Sequence, residues 1–480
     1  MAVRLNSQIA KVVLMVALLL VSLQGFVWHR LLQSHHDQGH EHPMLAGARG
    51  LSSRRETIIG SQEDVRENNN NQQQQQSRNR LPDERRLHRR RQPSIEKQKL
   101  SLNIHPPKVA TARTVSPYLK HPLFEGKERL LTILHEAHFF NDSAAEFFQD
   151  DARVEALAKQ LPSWETVTNR LGGESPVIEG LETCETYQKL VPPIDRFLGV
   201  AGLFATGTNL LASLLVANCQ NDERIRAGLG AGVRWQVNWG KHSPARYRME
   251  NKIDQKLKNE IFLPVVSIRH PYSWMQSLCR QRYSTHWFHN AKEHCPNLVP
   301  NDIDRKWFKF VQKYGKRGVK SLYNDPWLSD NLLDTANFTL DSEVVPVRVR
   351  YKSGTLYHDS LPDMYNSWYH EYLDADFPRL VVRLEDLVFH AKEVVTKVCT
   401  CMGGSVRDDF NYITETAKVG DEHIHGKQED RTNMIKTFTK WHAENRTKNM
   451  TSEDVAYAKE SLDADLLKMF QYSHPSKENP

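Results

Sequence analysis

An apolar segment, a glycine-containing turn and a second apolar segment constrain this chain more than any other feature. Residues 197–211 read FLGVAGLFATGTNLL. The first part predicts a buried strand, Gly202 and Gly207 permit a tight turn, and the residues from Asn209 onward favour a helix. A strand, turn and helix in this order direct backbone N–H groups and a helix N-terminus at a phosphate. The sequence therefore predicts an α/β fold with a phosphate site after its first core strand.

The spacing within this turn indicates which kind of phosphate-containing ligand the loop could bind. Gly202 and Gly207 fit the pattern G-x-x-x-x-G of nucleotide-binding loops, but Thr208 and Asn209 follow where an ATPase has Lys and Ser or Thr. The loop thus indicates a nucleotide phosphate without the usual means of holding Mg²⁺ and a γ-phosphate. A nucleotide kinase or ATPase is an alternative, but it would also need an Asp at a strand end, and Arg269 follows Ile268 there.

The N-terminus predicts a membrane anchor. Residues 12–28 are mostly apolar, and Arg4 and Lys11 precede them. A short basic tail of residues 1–11 before an apolar segment favours an uncleaved transmembrane helix with the rest of the chain across the membrane. A cleaved signal peptide is the alternative, and both send the chain into the secretory pathway.

Residues 29–116 have the composition of a disordered stem. They contain Asn68 to Asn71, Gln72 to Gln76 and the basic block 85–91, and they carry few large apolar side chains. Too little apolar surface is available there to offset the entropy of ordering the chain. Part of the modest net charge of +6 lies in the basic block. The overall charge therefore gives little support to a nucleic-acid partner.

Cysteines and glycosylation sequons agree with a lumenal location. Six cysteines allow three disulfides, whose pairing the sequence leaves open. Cys399 and Cys401 are too close for an ordinary zinc pair, and no metal site is expected. Sequons begin at Asn141, Asn337, Asn445 and Asn449. We therefore expect a single-pass type II protein of the Golgi membrane with a lumenal main domain.

The remainder divides into a helical lead-in, residues 117–193, and an α/β domain, residues 194–480. Strands are predicted at Phe197–Ala201, Ile261–Ile268 and Leu380–Arg383, with helical segments after each. Strands alternating with helices predict a mostly parallel sheet covered on both faces, which is a three-layer sandwich.

A second candidate phosphate site follows the strand that ends at Ile268. Arg269 comes at the strand end, Pro271 suits the first turn of a helix, and Ser277 lies two turns into that helix. A guanidinium and a hydroxyl together can clamp a phosphate. A salt-bridged arginine and a surface serine would have the same sequence.

Three motifs in order resemble the sulfotransferase family that uses the donor PAPS (3′-phosphoadenylyl sulfate). They are Gly207-Thr208-Asn209, the pair Arg269 and Ser277, and the segment 381–387, VVRLEDL. The resemblance covers about residues 194–472 and implies a P-loop-like α/β sandwich. It implies that residues 205–209 hold the 5′-phosphosulfate, that Arg269 and Ser277 hold the 3′-phosphate, and that segment 381–387 is structural. The implied reaction is in-line transfer of a sulfuryl group to a hydroxyl or amine, without a metal.

One departure from the family pattern concerns the catalytic cation. The family carries a Lys two residues before the loop glycine, and this chain has Ala205 there. The segment 239–244, WGKHSP, resembles a K-x-H-x-P stretch of some cytosolic members, in which the His is the general base. His242 is therefore the candidate base and Lys241, one place out of register, the candidate replacement cation.

The resemblance also suggests a basic loop that closes over the 3′-phosphate, with Lys427 and Arg431 in that role. The candidate site residues are then a catalytic pair and a donor-binding set. They are His242 and Lys241 for catalysis, and Ala205, Thr206, Gly207, Thr208, Asn209, Arg269, Ser277, Lys427 and Arg431 for PAPS.

The expected function is sulfation of a lumenal glycan or glycoprotein acceptor, with the membrane contacted through the N-terminal anchor. An alternative of another class is a non-catalytic glycan-binding protein on a sulfotransferase-like fold, which Ala205 supports because a methyl group cannot stabilise a leaving phosphate. The nucleotide kinase is the weaker alternative.

Overall fold

The computed structural model describes residues 121–140, 144–290, 293–323, 337–415, 417 and 433–476. The predicted cytosolic tail (1–11), membrane helix (12–28) and stem (29–116) lie outside these ranges.

The structure does not support one part of the predicted fold class, the transmembrane helix. No helix in the described ranges is long and apolar enough to cross a membrane. The longest of them, Asp302–Tyr323, is rich in Lys and Arg and is interrupted at Gly315, whose φ is 61°. A spanning helix needs about 20 predominantly apolar residues. The fold class is corrected to a mixed α/β fold on a mostly parallel sheet of five strands.

The strands vary from two to seven residues. In chain order they are β1 (Ile178–Glu179), β2 (Phe197–Gly202), β3 (Cys219–Gln220), β4 (Val233–Arg234), β5 (Phe262–Ile268), β6 (Thr285–His286), β7 (Val347–Tyr351), β8 (Gly354–His358), β9 (Leu380–Arg383) and β10 (Ser405–Val406).

The main sheet has the strand order β1-β9-β5-β2-β4. Strands β9, β5, β2 and β4 run parallel, and β1 pairs antiparallel with β9 at one edge. In the register of the three central strands, Val265 of β5 faces Val200 of β2 and Leu380 of β9. The carboxyl ends of β2, β5 and β9 therefore meet at one edge of the sheet. Two small antiparallel sheets, β10-β3 and β6-β7-β8, lie beside it.

The α-helices of the described ranges are numbered in chain order. They are α1 (Glu128–Glu136), α2 (Ala144–Phe147), α3 (Asp151–Gln160), α4 (Trp164–Leu171), α5 (Cys184–Leu190), α6 (Thr208–Asn218), α7 (Asp222–Arg226), α8 (Pro271–Arg280), α9 (Asp302–Tyr323), α10 (Leu361–Leu373), α11 (Leu384–Phe389), α12 (Ala391–Met402), α13 (Met434–Ala443), α14 (Ser452–Ser461) and α15 (Ala464–Met469). Short 3₁₀ turns occur at Pro122–Phe124, Leu181–Thr183, Pro193–Asp195, Ala245–Arg248 and Asn259–Ile261.

Both faces of the main sheet are buried, as alternation along β2 shows. Leu198 and Val200 belong to one hydrophobic cluster, which also contains Leu211 of α6 and residues of the lead-in helices. Phe197 and Ala201 belong to the other cluster, with side chains of α8 and α10. Successive side chains of a strand point to opposite faces, so both faces of β2 contribute to a core.

All six cysteines form disulfides, and two of the three bridges hold α12. Cys184 pairs with Cys401, and Cys219 pairs with Cys399. The third bridge joins Cys279 of α8 to Cys295. The sequence left this pairing open. The two cysteines of the Cys-Thr-Cys segment thus belong to separate disulfides, which attach one helix to α5 and to β3.

Candidate functional site

A cleft of about 1070 Å³ lies at the carboxyl ends of β2, β5 and β9. Open α/β sheets bind ligands at this edge. Most of the sequence-predicted site residues line it, and they come from three separate segments of the chain. They are Ala205, Gly207, Thr208, Asn209, Lys241, His242, Arg269 and Ser277.

The loop between β2 and α6 has the backbone shape of an anion-binding turn. Ala205 and Gly207 both have positive φ, at 62° and 82°, and α6 begins directly at Thr208. A Cβ atom added to Gly207 would collide with the side chain of Leu384. Position 207 therefore requires glycine, because of both its positive φ and the closeness of Leu384. The first turn of a helix has N–H groups without intrahelical partners, and here Gly207, Thr208 and Asn209 line the cleft.

Thr206 is the predicted loop residue whose side chain turns away from the cleft. It is fully buried, and its Oγ1 donates to the carbonyl of Leu203 at 2.8 Å. Its own carbonyl accepts from the hydroxyl of Ser267 on β5. The side chain of Thr206 therefore braces the loop against the sheet instead of facing a ligand.

Lys241 lies beside the loop, at the N-terminus of α6. Its Nζ donates to Oδ1 of Asn209 at 2.8 Å and is 4.0 Å from the centre of the Trp235 ring. The carbonyl of Lys241 also accepts from the N–H of Gly202 at 3.0 Å. Burial lowers the pKa of Lys241 to about 7, because a buried ammonium loses its hydration. This lysine provides a cation within the cleft, next to the turn that contains Ala205.

His242 is held by the backbone of the same turn. Its Nδ1 is 2.7 Å from the carbonyl oxygen of Gly202, and its ring is 4.4 Å from that of Phe204. A carbonyl can only accept, so Nδ1 carries the proton and Nε2 is left with a lone pair. Burial lowers the pKa of His242 to about 4. The imidazole is therefore neutral near pH 7 and can accept a proton at Nε2.

Arg269 and Ser277 contact each other directly. Nη1 of Arg269 donates to Oγ of Ser277 at 2.5 Å and to the carbonyl of Ala205 at 3.3 Å. The strand end, the loop after β2 and helix α8 are thus joined by one guanidinium. This arrangement brings together the two candidate phosphate sites that the sequence placed in different segments.

Sequence reasoning missed several side chains at this end of the cleft. Arg280 donates through Nη2 to Oγ of Ser277 at 2.9 Å, so two guanidiniums flank one hydroxyl. Ser273 and Glu444 also line the cleft, and their side chains are hydrogen-bonded at 2.7 Å. Arg280 could have been found, because residues three apart on a helix share a face. Nothing local marks Glu444.

The VRLEDL segment, residues 382–387, stabilises the site through buried hydrogen bonds. Arg383 is fully buried and pairs with Asp386 through two hydrogen bonds, at 2.6 and 2.8 Å. Glu385 accepts from the N–H of His270 at 3.0 Å and from the hydroxyl of Tyr472 at 2.9 Å. These bonds satisfy the charged side chains within the protein, which favours a structural role for the segment.

A row of aromatic residues on α10 holds the backbone of the site, and sequence reasoning did not identify it. Each side chain donates to a main-chain carbonyl: Tyr365 to Arg269 at 2.8 Å, Trp368 to His242 at 3.2 Å, Tyr369 to Ser267 at 3.0 Å and Tyr372 to Ser243 at 3.0 Å. The spacing of these four residues places them on one helix face. One helix therefore positions both the strand end at Arg269 and the turn that carries His242.

Two tryptophans close to the site differ in exposure, and the predicted closing loop lies outside the described ranges. Trp274 is fully buried and donates to the carbonyl of Phe204 at 2.9 Å, whereas Trp235 is 42% exposed and lines the cleft. Lys427 and Arg431 lie outside the described residues. Within the described ranges, no group of three or more His, Cys, Asp or Glu side chains is arranged to hold a metal ion.

No family model, curated protein or solved structure matches this chain. A function is therefore inferred from the cleft itself and from the three motifs that meet there.

Proposed function

We propose that this chain is a sulfotransferase that transfers a sulfuryl group from PAPS to a hydroxyl or amine of a glycan or glycoprotein. The observation that carries the proposal is the shared cleft. It contains a phosphate-type loop, a guanidinium pair around a serine, and a neutral histidine with a lysine beside the loop.

Two parts of the cleft suit the two anionic groups of the donor. The N-terminus of α6 and the Thr208 hydroxyl can receive the 5′-phosphosulfate, because unpaired N–H groups and the helix dipole favour anions. Arg269, Arg280 and Ser277 can receive the 3′-phosphate through charge-assisted hydrogen bonds.

The transfer needs a base for the acceptor and a cation for the leaving group. The acceptor oxygen or nitrogen forms a bond to sulfur while the bond from sulfur to the bridging phosphate oxygen breaks. Nε2 of His242 takes the proton of the acceptor. Lys241 and the loop N–H groups neutralise the charge on the departing adenosine 3′,5′-bisphosphate. In this assignment Lys241 supplies the charge that Ala205 lacks.

The proposed compartment is the lumen of the Golgi. Three disulfides favour an oxidising environment, because cytosolic thiols are kept reduced. Glycans and glycoproteins are the acceptors available there.

Donor binding and transfer can be tested separately with the full-length protein. We expect Arg269→Ala to weaken binding of adenosine 3′,5′-bisphosphate in calorimetry by about tenfold or more, since a charge-assisted hydrogen bond is lost. Arg226→Ala is the matched control, because Arg226 is an exposed surface residue paired with Glu223. Unchanged affinity in Arg269→Ala would remove Arg269 from the donor site.

His242→Ala tests the base. We expect transfer of radiolabelled sulfate from PAPS to a glycan mixture to slow by about 100-fold, with donor affinity kept within about twofold. Donor binding without transfer to any acceptor, in the unaltered protein, would favour the non-catalytic glycan-binding alternative that Ala205 supports. Tight Mg²⁺-dependent binding of ATP would instead favour a kinase.

A further inference from the structure

A carboxylate lies beside Arg269, in the part of the cleft where the proposed function places the 3′-phosphate. Oε1 of Glu444 is 3.4 Å from Nη2 of Arg269, and its Oε2 accepts from the Ser273 hydroxyl at 2.7 Å. The side chain of Glu444 is only 22% exposed, although it lines the cleft.

The surroundings of this carboxylate are strongly cationic. Arg170, Arg269, Arg280 and Arg446 all interact with it electrostatically. Burial acts to raise the pKa of Glu444, but the Arg269 guanidinium and the Ser273 hydroxyl outweigh burial and the pKa lies below its ordinary value. Glu444 is therefore ionised near pH 7.

A carboxylate and a phosphate compete for the same partners. Both accept hydrogen bonds from guanidinium and hydroxyl groups, and two like charges repel strongly when they share a partly buried site. Glu444 and a donor phosphate therefore cannot both remain on Arg269 and Ser273 at low cost.

We propose that Glu444 is an internal competitor of the donor, whose carboxylate holds Arg269 and Ser273 until the 3′-phosphate of the donor displaces it. This inference rests on the proposed function, because it takes the cleft end at Arg269 as the 3′-phosphate site. Displacing Glu444 costs free energy, which a 3′-phosphate offsets by contacting Arg269 and Ser273. Ligands without a 3′-phosphate do not make these contacts.

The alternative role for Glu444, orienting Arg269, fits the distances less well. Nη1 of Arg269 is already held by Ser277 at 2.5 Å and by the carbonyl of Ala205 at 3.3 Å. The contact with Glu444, at 3.4 Å, is the longest of the three. The guanidinium therefore keeps its orientation when Glu444 leaves.

The test is calorimetric binding of two nucleotides to the full-length protein and its variants. Adenosine 3′,5′-bisphosphate carries the 3′-phosphate, and adenosine 5′-phosphosulfate lacks it. We expect Glu444→Gln to bind the bisphosphate about tenfold more tightly, because one charge repulsion is removed. Its affinity for adenosine 5′-phosphosulfate stays within about twofold of the unaltered protein.

Glu415→Gln is the matched control for cleft charge, because Glu415 is exposed and lines the same cleft. It removes the same charge, and we expect less than about a twofold change for either nucleotide. Glu444→Ala provides a second variant should the glutamine variant unfold, and the thermal unfolding midpoint of each is measured first.

The outcomes separate this inference from the proposed function. Equal bisphosphate affinities in Glu444→Gln and Glu415→Gln, or weaker binding in Glu444→Gln, would overturn the competitor role and leave the donor site in place. Equal tightening for both nucleotides would also overturn it, since the effect would not involve the 3′-phosphate. No binding of either nucleotide by any variant would overturn the proposed function itself.

Discussion

At the scale of single residues, burial sets the protonation states of Lys241 and His242. Burial lowers the pKa of both side chains, to about 7 for Lys241 and about 4 for His242. A bound dianion would raise both pKa values, because an opposite charge favours the protonated form. In the proposed reaction, the donor would therefore strengthen the cation and the base that act on it.

Donor affinity should depend on pH through Lys241. The lysine of the free protein is charged below pH 7 and becomes neutral above it, so binding an anion at higher pH requires uptake of a proton. We expect the affinity for adenosine 3′,5′-bisphosphate to fall between pH 7 and 9, by at most about tenfold per pH unit. Calorimetry at several pH values measures this slope.

Lys241→Arg is the control, because arginine stays charged throughout this range. Its affinity should be nearly constant between pH 7 and 9. An equal slope in this variant would assign the titration to another group.

At the scale of secondary structure, helix α10 connects the sheet to the site. The Tyr369 hydroxyl donates to the carbonyl of Ser267, and the Ser267 hydroxyl donates to the carbonyl of Thr206 in the loop. Both tyrosine and serine are buried. Tyr369 is thus linked through Ser267 to the loop between β2 and α6.

Tyr369→Phe should lower the free energy of unfolding by about 1–2 kcal/mol. The ring is kept, but the carbonyl of Ser267 loses a buried hydrogen bond. Chemical denaturation measures the change. Tyr357→Phe is the control, because Tyr357 is 58% exposed. Removing its hydroxyl should lower the free energy of unfolding by less than about 0.5 kcal/mol. Similar losses in the two variants would contradict the bracing role of Tyr369.

The sequence predicted the bounds of the main strands better than the breaks within helices. The predicted strand Leu380–Arg383 has the observed bounds. The predicted strand Phe197–Ala201 ends one residue before β2 does, and the helix predicted from Asn209 begins one residue earlier, at Thr208. Apolar spacing predicts one helix at 387–401 and another at 452–470. The first is instead two helices that meet at His390, and the second breaks where Asp463 caps α15. Apolar spacing continues across such breaks, so periodicity alone does not reveal them.

At the scale of the whole molecule, a buried histidine joins distant segments. His294 lies between Asp304 of α9 and Asp454 of α14, at 2.7 and 2.5 Å. Burial acts to lower the pKa of His294, but the hydrogen bonds to the two aspartates outweigh it and raise the pKa to about 9. Asp454 also accepts from the N–H groups of Leu298 and Val299, both at 2.9 Å.

This cluster should make stability depend on pH. Because the pKa of His294 in the folded protein lies above its unfolded value of about 6.5, its contribution is complete below that pH and is lost as pH rises through about 9. We expect His294→Gln to be less stable than the unaltered protein by about 3 kcal/mol at pH 6, with the gap closing above pH 9.

Denaturation of both proteins across this pH range measures the gap. The difference between them is the quantity to follow, because other groups, Lys241 among them, titrate in the same range and cancel in the comparison. A gap that stays constant with pH would show that His294 is not the titrating group.

The sequence by itself determined the local features: the strand, turn and helix around residues 197–211, the arginine at the end of β5, and the presence of enough cysteines for three disulfides. These follow from backbone sterics and apolar spacing over a few residues. Only the tertiary structure decided which cysteines pair, that Lys241 lies against the loop containing Ala205, and that Glu444 reaches Arg269 across 175 residues of chain. Such contacts depend on how helices pack around the sheet, and no short-range pattern encodes that packing.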